Sequence, residues 1–105
     1  QLETEGLLSD ARAAGAFVRA HAERFGIVRL RQDLRKRGLD PELAGADFAE
    51  LGNELERARL VWSKKFPAAP DSATEWARQA RFLQSRGFTP ETIRKLLRNP
   101  EGDIE

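Results

Sequence analysis

A short motif occurs twice in the chain, and its two copies limit the folds that the sequence can adopt. Residues 37–42 read Arg-Gly-Leu-Asp-Pro-Glu, and residues 86–91, 49 positions later, read Arg-Gly-Phe-Thr-Pro-Glu. Each copy contains a glycine that can end one helix, a polar residue that can cap the next, and a proline suited to the first helical position. Leu34 and Leu83 precede the two copies at the same offset. Internal periods of this size are typical of repeat proteins.

The apolar residues recur at helical spacing, and alternating strand-like runs are absent, so we expect three helices in each unit. The expected helix starts follow Ser9-Asp10, Gly26, Asp40, Gly52-Asn53, Asp71-Ser72 and Thr89. A short unit cannot bury its apolar stripes well alone, so neighbouring units should stack. The predicted fold is all-α: tandem three-helix repeats that form an elongated, curved array. Its expected buried residues are Leu30, Leu34, Phe48, Trp62, Trp76, Phe82 and Leu83.

The repeat predicts how the chain is divided. We expect residues 1–8 to be the end of an upstream repeat, since the chain begins with Gln1 rather than methionine. Residues 9–52 and 53–99 are the two three-helix repeats. Residues 100–105 form a polar, acidic tail that is expected to be disordered.

The composition argues against an enzyme. The chain has no cysteine and one histidine, which makes thiolate metal sites and histidine-based triads improbable. Glu54 and Glu56 are expected on solvated helix faces. We therefore predict no catalytic residues, no metal, no cofactor and no small-molecule substrate. No apolar run approaches the roughly 20 residues that span a bilayer, and no signal peptide is visible, which predicts a cytoplasmic protein without a membrane partner.

Three other residues allow two interpretations each. His21 could titrate near neutral pH, but a position at the edge of the core is the favoured interpretation. Trp62 and Trp76 could stack on nucleic acid bases, but both fall on apolar stripes, which favours core packing.

Basic residues are the most informative polar feature. Six of them lie between residues 24 and 37, where Asp33 is the only acidic residue, and smaller clusters follow in the second unit. A charged surface helix explains the pattern, because cations stabilise a helix C-terminus. A patch that contacts phosphates or an acidic protein explains it equally well. The partner-binding candidates are Arg24, Arg29, Arg31, Arg35, Lys36, Arg37, Lys64, Lys65, Arg94, Lys95 and Arg98.

Several strings of the chain resemble the RecX family. EGLLSDAR (residues 5–12), AFVRAH (16–21) and RLRQDLRKRGL (29–39) are similar to the middle repeat of that family. RFLQSRGF (81–88) and IRKLL (93–97) are similar to its third repeat, and Lys65-Phe66 stands where the family has a basic-aromatic pair. Ile27 is a departure, because the family often has a proline there. The resemblance covers the two later repeats of the three that the family has.

The resemblance implies a regulator of the RecA recombinase that lies in the groove of the RecA filament on single-stranded DNA and inhibits its activities. Arg29, Arg31, Arg35, Lys36 and Arg37 are then the first contact candidates, and Arg94, Lys95 and Arg98 the second. The alternatives are a helical module that binds single-stranded DNA directly and a purely structural repeat. The net charge of +1 argues against strong autonomous DNA binding. A monomer is expected.

Overall fold

The computed structural model describes the backbone of residues 2–102 and the side chains of residues 6–102, and none of these residues lies in a β-strand. The elements are α1 (Leu2–His21), α2 (Ile27–Lys36), a 3₁₀ helix (Pro41–Ala44), α3 (Gly45–Ala49), α4 (Glu54–Lys65), α5 (Ala73–Ser85) and α6 (Pro90–Arg98). Across this part of the chain, every helix is too short or too polar to cross a bilayer.

The helices form two units with separate cores, and the all-α tandem repeat is confirmed. In the first unit α1, α2, the 3₁₀ helix and α3 enclose one buried cluster: Ala14, Phe17, Val18, Ala22, Leu30, Leu34 and Ala44. In the second unit α4, α5 and α6 enclose another: Ala58, Val61, Trp62, Phe66, Leu83, Phe88, Ile93, Leu96 and Leu97. The molecule measures 58 × 29 × 20 Å. Its radius of gyration of 16.1 Å exceeds the roughly 13 Å of a compact domain of this length, so the array is elongated.

The duplicated motif ends and starts helices as predicted. Gly38 and Gly87 follow α2 and α5 with φ of 78° and 93°, a backbone conformation that glycine adopts without a steric penalty. The side chain of Asp40 accepts a hydrogen bond from the Glu42 amide, and that of Thr89 accepts one from the Thr92 amide. Both caps satisfy amides that have no partner within the helix.

Two predictions about helix limits in the first unit are wrong. Ser9 and Asp10 do not start a helix, because α1 is continuous from Leu2 through both of them. Both side chains are exposed there, and the good helix formers Leu7, Leu8 and Ala11 flank them. The third helix is split, because its first turn, residues 41–44, is a 3₁₀ helix that brings Ala44 into the core.

Most of the predicted core is confirmed, with one clear error. Leu30, Leu34, Trp62 and Leu83 are buried, whereas Phe48 and Phe82 are half-buried against the cores. The predicted burial of Trp76 is wrong, because 38% of its surface is exposed.

Gln79 takes the buried position on α5 that Trp76 was expected to occupy. The indole of Trp62 donates to Gln79 Oε1 over 2.7 Å, and Gln79 Nε2 donates to the carbonyl of Ala68. A buried amide with these partners costs little, and an apolar stripe cannot reveal it.

His21 and the tail complete the comparison with the sequence. His21 is half-buried at the edge of the first core, with its ring stacked on Phe17 at 4.1 Å between centroids. Residues 99–102 form a turn, in which the Gly102 amide donates to the Asn99 carbonyl over 3.1 Å. Pro100 is buried there, and its carbonyl accepts a hydrogen bond from Arg59 Nε over 3.0 Å. The rest of the tail, residues 103–105, lies outside the described residues.

Candidate functional site

Backbone hydrogen bonds join the two units. The amide of Gly26, between α1 and α2, donates to the carbonyl of Arg86 over 2.7 Å. The amide of Val28 donates to the carbonyl of Gly87 over 3.0 Å. A Cβ atom on Gly26 would overlap the Gly87 carbonyl. The two backbone segments can approach this closely because neither glycine has a side chain.

Arg57 and Glu54, at the start of α4, add side chains to this junction. Arg57 donates to the carbonyl of Ala22 from Nε over 3.1 Å and to that of Phe25 from Nη2 over 2.9 Å. Burial lowers the pKa of Arg57 from its ordinary value, and the nearby Glu54 carboxylate opposes that shift. The guanidinium therefore ties the end of α1 to the second unit.

Glu54 is not on a solvated face, which corrects the expectation for this residue. It is half-buried, and its Oε1 accepts a hydrogen bond from the Ile27 amide over 3.3 Å. α2 has no capping side chain of its own at Gly26, so Glu54 of the second unit supplies one. A proline in place of Ile27 would have no amide for this bond.

Two adjoining hollows that share Glu23 and Lys64 lie beside this junction and together form a groove. We call it the junction groove. It runs along α4, from the end of α1 and the segment after α3 to the end of α5. Its lining residues are Arg19, Ala22, Glu23, Arg24, Phe25, Glu50, Leu51, Arg57, Leu60, Val61, Lys64, Lys65, Phe82 and Arg86.

Three of the predicted basic residues, Arg24, Lys64 and Lys65, meet in the junction groove with Arg86. None of the four forms an ion pair among the residues that the structure describes. Three of the four charges lie close to aromatic rings instead. Lys65 Nζ is 5.5 Å and the Arg86 guanidinium 4.8 Å from the centroid of Phe82. The Arg24 guanidinium is 5.7 Å from the centroid of Phe25.

The basic residues of α2 lie elsewhere, and their intramolecular contacts differ. Arg29 belongs to the junction, since it donates to the Ser85 carbonyl over 3.1 Å and to Asp33 over 3.2 Å. Arg31 lies over the ring of Phe48 with Nη1 3.8 Å from a Glu42 carboxylate oxygen.

At the C-terminal end of α2, the remaining cations form no ion pairs with other described residues. The guanidinium of Arg37 lies 4.6 Å from the Phe17 centroid. Arg35 and Lys36 are exposed and form no ion pair with another described residue. These two charges are the most available on α2.

The third cluster lies on α6. Arg94, Lys95 and Arg98 are exposed, and Lys95 Nζ is 3.5 Å from a Glu91 carboxylate oxygen. The eleven predicted residues are therefore divided among the junction and its groove, α2 with its C-terminal end, and α6.

Arg86, like Arg19 and Arg57, is a basic groove residue that the sequence did not identify as a candidate. It belongs to the duplicated motif, so it was interpreted as part of the repeat and not as part of a basic cluster. Phe82, four residues earlier, was the available signal, because residues at this spacing share a helix face.

Within the described part of the chain, the groove combines unpaired cations with partly apolar walls. Among the described residues, no group of histidine and acidic side chains is arranged to hold a metal ion. Free cations around an apolar floor can hold an anionic partner by charge and by buried area together.

Comparisons with known proteins identify similar chains for both units. A family model described as the second three-helix domain of RecX matches residues 9–46, and the model of the third three-helix domain matches residues 53–97. The regulatory protein RecX of Leptothrix cholodnii is 44% identical over 98 residues, which cover 92% of this chain and 62% of that protein.

Two more relatives carry the same name. Regulatory protein RecX of Ralstonia nicotianae is 34% identical, covering 99% of this chain and 66% of that protein. That of Chromobacterium violaceum is 39% identical, covering 92% of this chain and 63% of that protein. The chain thus spans about two thirds of the length of these curated relatives. No solved structure matches it.

Proposed function

The chain belongs to the RecX family of regulatory proteins, and from this premise we propose that it binds RecA and its filament on single-stranded DNA and inhibits the recombinase. The observation that carries the proposal is the match of two successive RecX three-helix domains in chain order, which together cover residues 9–46 and 53–97. Such a regulator works in the cytoplasm, and we expect it to act as a monomer.

The shape of the molecule supports the proposal. A narrow array 58 Å long can lie along a helical groove and contact several subunits of a filament at once. Contacts at two places on one rigid array reinforce each other, because the second contact forms at a high effective concentration.

The charges support it as well. Arg35 and Lys36 on α2 point charge toward solvent without an intramolecular ion pair among the described residues, as do Arg94 and Arg98 on α6. Repulsion between like charges opposes such clusters, but the clusters steer association with an acidic surface. We propose α2 as the first contact surface and α6 as the second.

The experiment is a titration of RecA's single-stranded-DNA-dependent ATPase with this protein, with binding to the same DNA measured in parallel. Inhibition is expected at concentrations where the protein barely binds bare DNA. The longer Leptothrix cholodnii relative serves as a comparator, since this chain corresponds to 62% of its length. An ATPase unaffected by this chain at any concentration would contradict the proposal.

A double variant tests α2. Arg31→Ala with Arg35→Ala should raise the inhibitory concentration about tenfold, because two rim charges are lost from a steered interface. The matched control is Arg12→Ala with Arg81→Ala, which removes two exposed arginines outside the three basic clusters. Equal effects of the two double variants would mean that general charge, rather than α2, carries the binding.

Direct binding of single-stranded DNA is the alternative, and the three basic clusters favour it. A net charge of +1 opposes it, because non-specific affinity grows with the number of phosphates neutralised. Tight binding to bare DNA with a steep salt dependence, and inhibition that follows DNA occupancy, would identify this alternative.

A further inference from the structure

The junction groove contains features that the fold does not require. The fold needs Arg57, whose donors are taken up by the carbonyls of Ala22 and Phe25. It does not need Lys64 and Lys65, which are exposed and form no ion pair among the described residues. Their charges are thus available to a ligand.

The groove is also partly apolar. Leu60, on the same face of α4 as Lys64, is 61% exposed. Phe25 and Phe82 are half-buried at the groove wall. The exposed Leu60 can gain stability by contact with an apolar side chain of a partner. An occupant must therefore bring both negative charge and apolar surface.

The aromatic rings argue against an unstacked nucleic acid base as the occupant. Guanidinium groups of Arg29 and Arg86 lie 4.4 Å and 6.0 Å from the centroid of Phe25. Lys65 and Arg86 lie close to Phe82 in the same way. A base could stack on either ring only after displacing a cation, which gives up the attraction between that cation and the ring.

Acidic residues define which part of the groove suits an anion. Glu23 and Glu50 line the part nearest α1 and α3, where Arg19 is already paired with Asp47. The part nearest α5 has four cations and only Glu23 opposing them. The acidic side chains of an extended occupant would contact the four cations in this part of the groove.

We propose that the junction groove binds an acidic segment of a protein partner, with carboxylates at Lys64, Lys65, Arg24 and Arg86 and an apolar side chain beside Leu60. The inference deepens the proposed function and rests on it, because it names the kind of partner segment that the regulator holds. Charge complementarity and the occupied ring faces select a peptide over a nucleic acid.

The test uses three fluorescent probes in anisotropy titrations with the full chain. The first is a synthetic 12-residue peptide with a central Leu-Phe pair flanked by aspartate and glutamate. The second has the same sequence with asparagine and glutamine in place of the acids, and the third is a 20-nucleotide oligothymidylate. We expect the acidic peptide to bind at least about tenfold more tightly than its neutral analogue.

Charge-reversal variants locate the site. Lys64→Glu with Lys65→Glu should weaken binding of the acidic peptide by about tenfold or more, since like charges then face each other. Arg12→Glu with Arg81→Glu changes the net charge equally at exposed positions outside the groove and should leave binding within about twofold. Lys64→Gln with Lys65→Gln gives a milder change if the reversal disturbs the end of α4, and circular dichroism checks the fold.

Three outcomes would overturn the proposal: no preference for the acidic peptide, equal losses in the groove and control variants, or a groove-dependent affinity for the oligothymidylate alone. RecA ATPase assays separate this failure from failure of the proposed function. Inhibition by the unmodified chain that survives both groove variants would keep the function and refute the groove. Peptide binding without any ATPase inhibition would keep the groove and refute the function.

Discussion

Arg57 provides the most direct test of how the two units are coupled. Replacing it by methionine keeps most of the aliphatic volume but removes the hydrogen bonds to the Ala22 and Phe25 carbonyls. A hydrogen bond from a charged donor contributes about 1.5–3 kcal/mol, and the Arg57 side chain is only 13% exposed, so solvent screens it little. We expect a loss of about 3 kcal/mol in the coupling between units, which is roughly a hundredfold in an equilibrium constant.

The positions of the tryptophans make this loss measurable. Trp62 and Trp76, the only two in the chain, both lie in the second unit. Tryptophan fluorescence thus reports the second unit, whereas circular dichroism at 222 nm reports the helices of both. In urea, the two curves should coincide for the unmodified chain and separate for Arg57→Met, because each unit has its own core.

A matched control and a clear refutation exist. Arg81→Met, at an exposed position on α5 away from the junction, should change stability by less than about 0.5 kcal/mol and keep the curves coincident. If Arg57→Met leaves the curves coincident with an unchanged midpoint, the junction does not couple the units through Arg57, and the reasoning is wrong.

Three further predictions concern stability. Gly87→Ala should lower the melting temperature more than Gly38→Ala, because both have positive φ but only a Cβ on Gly87 would collide with a neighbour; equal losses would contradict the close approach. Leu34→Asp should destabilise the chain by several kcal/mol in thermal unfolding, since Leu34 is fully buried, and a mild effect would contradict the register of α2. Hydrogen bonds from Arg78 lower the pKa of Glu75, so its stabilising effect is present above the ordinary glutamate pKa of about 4.3 and is lost as the pH falls. The difference in melting temperature between the unmodified chain and Glu75→Gln should thus be largest near pH 7 and shrink below about pH 4; a constant difference would contradict the assignment.

The helix ends of the repeat were predictable because they are encoded locally. Each copy of the motif contains its own glycine, cap and proline within six residues, and these act through backbone geometry and short-range hydrogen bonds. The end of α5 and the start of α6 follow from it. The prediction that α1 starts at Ser9 and Asp10 is wrong, because both residues are also tolerated on an exposed helix surface. A capping sequence alone therefore does not require a helix to begin.

The junction groove was not predictable in the same way, because it depends on which distant segments meet. Its cations come from residues 24, 64, 65 and 86, and sequence spacing does not bring these together. Likewise, Glu54 could be identified as acidic but not as the cap of α2, because its partner Ile27 lies 27 residues away. The roles of residues that act between units can be assigned only when the relative placement of the units is known.

The junction also explains why two copies of one motif have different environments. At Gly87 the preceding unit closes over the helix end, and its Gly26 and Val28 amides bind the Arg86 and Gly87 carbonyls. At Gly38 a Cβ would meet no atom within 4 Å among the described residues.

The segments after α1 and α4 differ in a related way. Phe25 is followed by Gly26, which donates to the next unit, whereas Phe66 is followed by Pro67, which has no amide hydrogen to donate. The bond from the first linker therefore cannot be repeated by the second. The repeat encodes the helices of each unit, and the residues that break its symmetry determine how the units join and where the groove forms.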